Sequence, residues 1–515
     1  MGLFSTPAKV YQPAAEVDLG PGSAEHYISP NVKAPRVAGF PVKMLAWVLE
    51  TPVLGWIVLS VLKRDNLVYK LVSDAEIPEP PLFTATHTWQ AAIPEQNVSA
   101  TEPGLSPAER VQAAVACIPA DLEPAAALGD GASFRRWTVQ DFHRAYTSGQ
   151  ATPIMVARRF LAAVEECSGP DLNMGFFISC DPGDVLRQAD DSTRRYQQGA
   201  PLSAMDGVLV AVKDELDCLP YPTTARRCVA DAACVAQLRA CGAVMAGKAN
   251  MHELGAGTSS INPHHGSTRN PYNVGRVSGG SSGGSAAAVC AGLCPVALGA
   301  DGGAADINLL KKQWFDDSSE DIRSLCGKAL QMLRTHYGWE SVDVTVPEIE
   351  EMRLAHYVTM GSECTASLAK YLDNMDRSEI GWDVRIALSA YGSFSSRDYL
   401  NSQRLRCRQM YFHEKIFETA DAIVTPMTGV TAYALQDDAL STGELDYING
   451  AALVRYSIAG NFLGLPAITV PVGYDRGGLP VGLQFIGRPW SEATLLHLAY
   501  AMQEACGKEH RKKPK

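Results

Sequence analysis

One stretch of small residues, Val277-Ser-Gly-Gly-Ser-Ser-Gly-Gly-Ser-Ala-Ala-Ala-Val289, decides how this chain is interpreted. It continues through Cys290-Ala-Gly-Leu-Cys-Pro-Val-Ala-Leu298 into Gly299-Ala-Asp-Gly-Gly-Ala-Ala305. Glycine permits positive φ and close approach, and clustered hydroxyls offer donors and acceptors at short reach. Composition alone fits a flexible linker, but linkers seldom run straight into an alanine-rich segment able to form a packed helix. The stretch therefore predicts a structured loop of the kind that carries catalysis.

The composition fits a large soluble chain with an ordinary core. Its 515 residues are 46% hydrophobic and 20% charged, which excludes global disorder. The net charge of -11 argues against nucleic acid as a partner, because phosphate neutralisation needs clustered Lys and Arg. The 13 cysteines are an odd number with no secretory signal ahead of them, so we expect a reducing, intracellular compartment.

No metal site is expected from the cysteines or histidines. The pairs Cys228 with Cys234 and Cys290 with Cys294 lack CxxC spacing and a matching histidine cluster. Three histidines, His252, His264 and His265, could belong to a catalytic triad or a metal site. No acidic residue lies at a spacing from them that would indicate either kind of site. We interpret these histidines as turn or core residues.

The N-terminal region contains the most apolar segment of the chain, residues 44–62, which Glu50, Thr51 and Pro52 cut in two. Neither half is long enough to span a bilayer. Two short helices carrying Trp47 and Trp56 fit either a hairpin on a membrane surface or a helical pair packed on the main body. The first six residues also match a myristoylation pattern at Gly2.

Helices and short buried strands alternate from residue 106 onward, which predicts an α/β layer fold. Four helices are predicted. Two begin after N-terminal caps at Ser106 and Thr152, a third covers residues 322–333, and the last covers residues 492–504. The predicted strands are 207–212, 243–246, 342–346, 422–426, 461–474 and 478–487.

The strand 207–212 ends at Lys213-Asp214. Burial disfavours the charged form of a lysine, so Lys213 is a candidate general base that could act through a serine hydroxyl. The alternative is an exposed lysine at a strand end, paired with Asp214. The strand alone favours that alternative.

Several motifs together resemble the amidase signature family. They occur in that family's order and read Val212-Lys-Asp214, Gly247-Lys-Ala-Asn-Met-His-Glu-Leu254, Arg269-Asn-Pro-Tyr272, Gly279-Gly-Ser-Ser-Gly-Gly-Ser-Ala-Ala-Ala288, Gly299-Ala-Asp-Gly-Gly303 and Gly464-Leu-Pro-Ala-Ile-Thr-Val-Pro-Val-Gly473. Segments around residues 16–19, 49–55, 63–66, 192–196 and 217–220 further resemble the plant-type fatty acid amide hydrolases. The resemblance implies a mixed β-sheet core covered by helices on both faces, with an N-terminal helical region that associates with membranes.

The resemblance also implies roles for individual residues. Lys213 would be the base and Ser281 the bridging serine, held by a cis peptide bond. Gly302 and Gly303 would donate to an oxyanion, and Met251 and Ala304 would contact substrate. The family's nucleophilic serine is expected at position 305, which is Ala305 in this chain. The implied reaction is hydrolysis of N-acylethanolamines or related fatty acid amides, without metal or cofactor.

The departure from the family extends beyond Ala305. Residues 306–313 lack the family's following turn and strand, and the pattern resumes near Trp314. We interpret this as an internal deletion that removed the nucleophile, so the chain is expected to be inactive or impaired. Other hydroxyls are poor replacements, since Ser318 and Ser319 fit helix caps and Ser281 is misplaced relative to oxyanion donors.

The sequence therefore predicts three regions. Residues 1–105 form the N-terminal helical and extended region, residues 106–508 the internally truncated amidase-signature domain, and residues 509–515 a basic tail. The partners that the resemblance implies are a fatty acid amide, a peripheral membrane surface on the cytosolic side of the endoplasmic reticulum or plasma membrane, and a second copy in a homodimer. The alternative function is a non-catalytic lipid-amide binder or partner isoform.

Overall fold

The structure is a computed structural model that describes residues 7–20, 36–84, 104–118, 136–224, 228–301, 317–372 and 376–506. These residues divide into two units. The first contains the described parts of 1–97, 302–433 and 442–510, and the second contains those of 98–301 and 434–441. Predictions for Gly2, for most of the extended segment 78–103 and for the basic tail lie outside the described residues.

The helices and strands are numbered in chain order. The helices are α1 (Phe40–Glu50), α2 (Pro52–Asp65), α3 (Pro107–Ala116), α4 (Val139–Thr147), α5 (Pro153–Ser168), α6 (Pro182–Gln197), α7 (Ala233–Ala240), α8 (Gly283–Cys290), α9 (Glu320–Tyr337), α10 (Ile349–Leu372), α11 (Trp382–Tyr391), α12 (Ser396–Phe417), α13 (Ala439–Thr442), α14 (Tyr447–Val454), α15 (Ile458–Leu463) and α16 (Glu492–Cys506). The strands are β1 (Val37–Ala38), β2 (Phe177–Ser179), β3 (Leu209–Lys213), β4 (Val244–Ala249), β5 (Arg269–Asn270), β6 (Asn273–Val277), β7 (Val296–Leu298), β8 (Ala422–Pro426), β9 (Glu444–Leu445), β10 (Ala467–Tyr474) and β11 (Pro480–Gly487).

A four-stranded mixed sheet forms the core of the second unit. Its order is β2-β4-β3-β7, with β3 parallel to both neighbours and β2 antiparallel to β4. Side chains alternate between the faces of a strand, so Leu209 and Ala211 pack with α5 and α6 while Val210 and Val212 pack with α7. Helices therefore cover both faces of this sheet, as the sequence predicts.

A three-stranded antiparallel sheet, ordered β10-β11-β8, forms the core of the first unit. Helices α9 and α16 bury their apolar faces on one side of it, through Ile322, Cys326, Leu495 and Met502. Ile423 and Ile486 belong to the core on the other side, with residues of α10, α12 and α15. The helix predicted over residues 322–333 is confirmed as α9, and its acidic first turn is paired with Arg476.

The predicted helix starts are also confirmed. Ser106 and Glu109 form a complete capping box with Pro107 at the first helical position, and the Thr152 side chain caps α5. The strand predicted at 342–346 is wrong, because the described backbone there is extended with a single bridge residue at Val344. Val344 and Val346 instead pack on the core of the first unit, which explains their alternation.

The apolar segment 44–62 lies in the helix pair α1 and α2, broken at Thr51 as its sequence predicts. The two helices are bent by 109° with respect to each other. Among the described residues no single helix is long and apolar enough to cross a membrane, and this bent pair passes that test only when its two helices are taken together.

Candidate active site

Lys213 lies at the carboxyl end of β3, in the middle of the mixed sheet. Every residue of β3 is buried, and Lys213 itself is 1% exposed. In the parallel register with β4, Val212 is opposite Lys248 and Lys213 is opposite Ala249. The strand pairing therefore fixes the position of the Lys213 backbone in the sheet.

Three acceptors surround the Lys213 amine. Its Nζ donates to the Ser281 Oγ at 2.8 Å and to the Ala300 carbonyl, and lies 3.1 Å from Glu215 Oε1. The alternative of an exposed lysine paired with Asp214 is wrong, since Lys213 is buried and its carboxylate partner is Glu215.

Asp214 instead faces a second buried lysine. Lys248 Nζ lies 3.5 Å from Asp214 Oδ1 and donates to the Leu216 carbonyl at 2.7 Å and the Thr223 hydroxyl at 2.8 Å. Burial raises the pKa of Asp214 and lowers the pKa of Lys248, while the attraction between the two groups opposes both shifts. This pair holds the chain that follows β3, including Glu215.

The backbone around Ser281 is fixed by its neighbours. The Gly280–Ser281 peptide bond is cis, as the resemblance implies. The Ser281 carbonyl accepts from the His252 N–H at 3.0 Å and from the Ser260 hydroxyl at 3.1 Å. Ser260 Oγ also accepts from the Gly283 N–H at 2.9 Å. One buried hydroxyl therefore hydrogen-bonds both the Ser281 carbonyl and the backbone two residues after it.

Helix α8 begins directly after this turn, which rejects the interpretation of the stretch as a flexible linker. Its first residues pass so close to β4 that a Cβ on Gly284 would lie 2.4 Å from the Asn250 carbonyl oxygen. The neighbouring hydroxyls have backbone partners instead: Ser282 donates to the Ala300 carbonyl at 3.3 Å and Ser285 to that of Leu298 at 3.5 Å. Ser281 is thus the serine that meets Lys213.

Met251 and Ser281 both lie near Gly255, and the contact of Met251 with substrate stays a prediction. It is buried, and a Cβ on Gly255 would lie 3.8 Å from Met251 Cε and 3.9 Å from Ser281 Oγ. Gly255 has a φ of +71°, so both its backbone conformation and its missing side chain leave space next to Ser281.

The other predicted site residues, Gly302, Gly303, Ala304 and Ala305, lie outside the described residues. Asp301, the last described residue before them, is exposed. Ser319 occupies the N-cap position of α9, but its side chain makes no capping hydrogen bond, so that part of the cap prediction is wrong.

The histidines are turn and core residues, as predicted, with one difference. His252 is buried and its Nδ1 lies 3.4 Å from Ser259 Oγ, while Asn262 Oδ1 accepts from the backbone N–H groups of His264 and His265. His264 has an acidic partner, with Nε2 at 3.0 Å from Glu253 Oε1. The described residues contain no group of three or more His, Cys, Asp or Glu able to hold a metal ion.

Sequence reasoning missed the roles of Glu215, Lys248 and Ser260. A second carboxylate directly after Lys213-Asp214 is a signal that could have identified Glu215. Lys248 lies one residue before the end of the buried strand β4, much as Lys213 ends β3, so the argument from burial applies to both lysines. Ser260 has a φ of +56°, which no local sequence pattern indicates.

Known proteins share both sequence and fold with this chain. The Amidase family model matches residues 160–305 and 306–496. Fatty acid amide hydrolases from Oryza sativa subsp. indica and Arabidopsis thaliana are 38% and 37% identical to the chain, covering 99% and 96% of it and 98% and 96% of their own lengths. A crystal structure of a bacterial aryl acylamidase of the amidase signature enzymes has a TM-score of 0.61 at 19% identity, covering 72% of this chain and 96% of its own.

This chain is shorter than its alignment with the rice relative. The rice alignment runs over 603 positions against 515 residues in this chain, so at least 88 positions have no counterpart here. The two segments of the family match meet between residues 305 and 306. That junction is the point at which the family's motifs break off in the sequence.

Proposed function

Because the chain belongs to the amidase signature family, we propose that it derives from a hydrolase of fatty acid amides such as N-acylethanolamines and has lost most of its turnover. The observation that carries the proposal is the hydrogen bond of 2.8 Å between Lys213 Nζ and Ser281 Oγ in a chain whose residue 305 is alanine. The relay is retained, and the position that it would activate has no oxygen.

In a complete relay, an uncharged Lys213 would take a proton from Ser281, and Ser281 from an attacking serine. That serine would form an ester with the acyl group as the C–N bond breaks, and the proton would pass to the leaving amine. Water would then release the fatty acid. Ala305 can form no such ester, and removing the nucleophile of a serine hydrolase costs about 10⁶ in turnover.

An internal deletion accounts for this loss in our proposal. The unmatched positions of the relatives and the break in the family match at residue 305 both support it. Peptides spanning residues 303–311, sought by mass spectrometry of the native source, test whether this junction exists in the protein as made. A native peptide with a Gly-Ser sequence at this place would contradict it.

A second candidate function is a lipid-amide binder or partner isoform without chemistry, at an intracellular membrane and in a homodimer. The exposed apolar residues of α1 and α2 favour it, since a membrane surface would deliver an apolar ligand whether or not it is cleaved. We place the protein on the cytosolic face of such a membrane, the endoplasmic reticulum or the plasma membrane.

Two measurements on the purified chain separate these functions. Hydrolysis of a long-chain N-acylethanolamine is measured beside the rice relative as positive control, and binding of the same lipid is measured by calorimetry. We expect turnover lower than that of the relative by about 10⁶. Turnover within about tenfold of the relative would contradict the proposal, and binding without turnover would select the second candidate.

A further inference from the structure

We propose that Glu215 is a positioning residue of the Lys213–Ser281 relay, in which its carboxylate and the Ala300 carbonyl turn the lone pair of an uncharged Lys213 toward Ser281. The inference rests on the relay of the proposed function and adds a residue to it. It follows from which neighbours of the Lys213 amine can donate a hydrogen bond and which can only accept one.

The three neighbours of the Lys213 amine differ in hydrogen-bonding capacity. The Ala300 carbonyl and the Glu215 carboxylate only accept hydrogen bonds, whereas the Ser281 hydroxyl can also donate one. An uncharged amine has two N–H donors and one lone pair. When the two N–H groups are directed at the two acceptors, the lone pair faces the Ser281 hydroxyl at 2.8 Å. The proton of Ser281 moves in this direction in the relay.

The same carboxylate serves the charged lysine that the transfer produces. Once Lys213 has taken the proton, it is an ammonium group on a side chain that is 1% exposed. A buried charge is costly unless it is paired, and Glu215 Oε1 lies 3.1 Å from Lys213 Nζ. Glu215 therefore orients the base before the transfer and pairs with it afterwards, as the third member of a catalytic triad does.

A tight turn after β3 fixes the place of Glu215. The Leu216 N–H donates to the Lys213 carbonyl at 3.0 Å, so the chain reverses at Glu215 and returns its side chain to Lys213. The residues on both sides of Glu215 are held by one buried amine, since Lys248 Nζ pairs with Asp214 at 3.5 Å and donates to the Leu216 carbonyl at 2.7 Å. The turn is thus anchored in the core.

The chain also leaves space for the Glu215 carboxylate. A Cβ on Gly255 would lie 3.3 Å from Glu215 Oε2, which is closer than most contacts of a side chain. An ordinary surface ion pair exposes both partners and contributes little. Here only the carboxylate is partly exposed, at 34%, and it reaches inward to a buried lysine.

The test is slow labelling of Ser281 by methanesulfonyl fluoride, measured as the adduct on the peptide that contains Ser281. The Ser281 oxygen bonds to sulfur as fluoride leaves, and the hydroxyl proton passes to Lys213. Ser281 is partly exposed, so a small reagent is used in large excess. Because the step needs an uncharged Lys213, the rate should rise between about pH 7 and about pH 10.

Two substitutions separate the acceptor from the charge. Glu215→Gln keeps an acceptor oxygen, so its rate at the alkaline end should stay within about threefold of the parent. Its rise should begin at a lower pH, because no carboxylate favours the ammonium form. Glu215→Met loses the acceptor too, and its alkaline rate should fall about tenfold or more, as expected for a base that is no longer positioned.

Two further variants control the measurement. Glu253→Gln removes a nearby carboxylate that lies 3.0 Å from His264 Nε2, and its rate should match that of the parent. Ser281→Ala should give no adduct at residue 281, which assigns the label. Thermal unfolding checks that each variant folds, and Glu215→Leu replaces Glu215→Met if the latter does not.

Each other outcome overturns the inference. If Glu215→Met labels as the parent does at every pH, Glu215 is only an ion-pair partner. If Glu215→Gln is as slow as Glu215→Met, an acceptor at residue 215 does not orient Lys213. Equal slowing by Glu253→Gln, or no Ser281 adduct on the parent chain, would also contradict it. The loss of amide turnover is a separate result, because hydrolysis of an N-acylethanolamine measures it independently.

Discussion

Lys213 and Ser281, 68 residues apart in sequence, meet with Nζ at 2.8 Å from Oγ. The lysine is placed by a strand inside a buried sheet, and the serine by a turn whose carbonyl is held by His252 and Ser260. Both groups are therefore positioned by strands and turns of the described residues.

The buried pair of Asp214 and Lys248 should show a strong dependence on both partners. Lys248→Met alone leaves Asp214 as an uncompensated buried charge, which costs about 3–5 kcal/mol in free energy of unfolding. Asp214→Asn together with Lys248→Met should recover part of that loss. Urea unfolding of the single and double variants measures this, and additive losses would contradict a direct interaction.

The exposed pair of Lys415 and Glu418 is the control for that experiment. Its charged atoms are closer, with Lys415 Nζ at 2.7 Å from Glu418 Oε1 against 3.5 Å between Lys248 Nζ and Asp214 Oδ1, but both of its side chains are exposed. Surface pairs contribute little, so Lys415→Met should leave the unfolding midpoint nearly unchanged.

Ser260→Ala should destabilise the protein by about 1–3 kcal/mol, because it leaves the buried Gly283 N–H without its acceptor. Ser260→Gly loses the same hydroxyl but tolerates the φ of +56°, so it should be less destabilising. Thermal unfolding of both variants checks the order. The reverse order would show that backbone conformation at residue 260 is not under strain.

Gly284→Ala and Gly327→Ala should change stability in opposite directions. A Cβ at residue 284 would lie within 2.6 Å of backbone atoms of Asn250 and Phe176, which overpacks the start of α8 by about 1–3 kcal/mol or more. A Cβ at residue 327, inside α9, meets nothing within 4 Å and should stabilise that helix by about 0.5–1 kcal/mol. Equal effects in denaturant unfolding would contradict the close approach at α8.

His413 should make the protein less stable in acid. Burial lowers the pKa of His413 to about 4 from 6.5, and its Nδ1 donates to the Gln409 carbonyl at 2.7 Å. Between these values the unfolded chain binds a proton that the folded chain does not. Stability is therefore lost as pH falls from about 6.5 to about 4, by up to about 3 kcal/mol.

His413→Gln tests that prediction, since it removes the titrating group from α12. The variant is less stable at neutral pH, but the difference from the parent should shrink as pH falls through this window. Urea unfolding at a series of pH values measures the difference. A difference independent of pH would show that His413 does not titrate as its burial requires.

The sequence was most informative where a local pattern and the buried core agree. The helix cap at Ser106, the helix over residues 322–333 and the buried strand before Lys213 are all confirmed. The segment 342–346 shows that alternating hydrophobicity does not always indicate a strand. Val344 and Val346 are apolar because they pack on a core, although the segment forms no strand.

The contacts of the site were less predictable, since they join residues far apart in sequence. The strand alone favours a Lys213 that is paired with its neighbour Asp214, but strand pairing places Lys248 next to Asp214 and leaves Lys213 with Glu215. The role of Ser260 depends on a left-handed backbone conformation that tertiary packing imposes. The family resemblance supplied the cis bond at Ser281, which no physical argument from composition would have predicted.

The most direct test of the account is reaction of the intact chain with an alkyl fluorophosphonate, followed by intact-mass measurement. The rice relative serves as the positive control, and Ser281→Ala as a variant that lacks the retained hydroxyl. We predict no stoichiometric adduct on this chain under conditions that label the relative completely, because residue 305 has no oxygen to attack phosphorus. One adduct per chain, formed as fast as on the relative, would contradict the loss of the nucleophile.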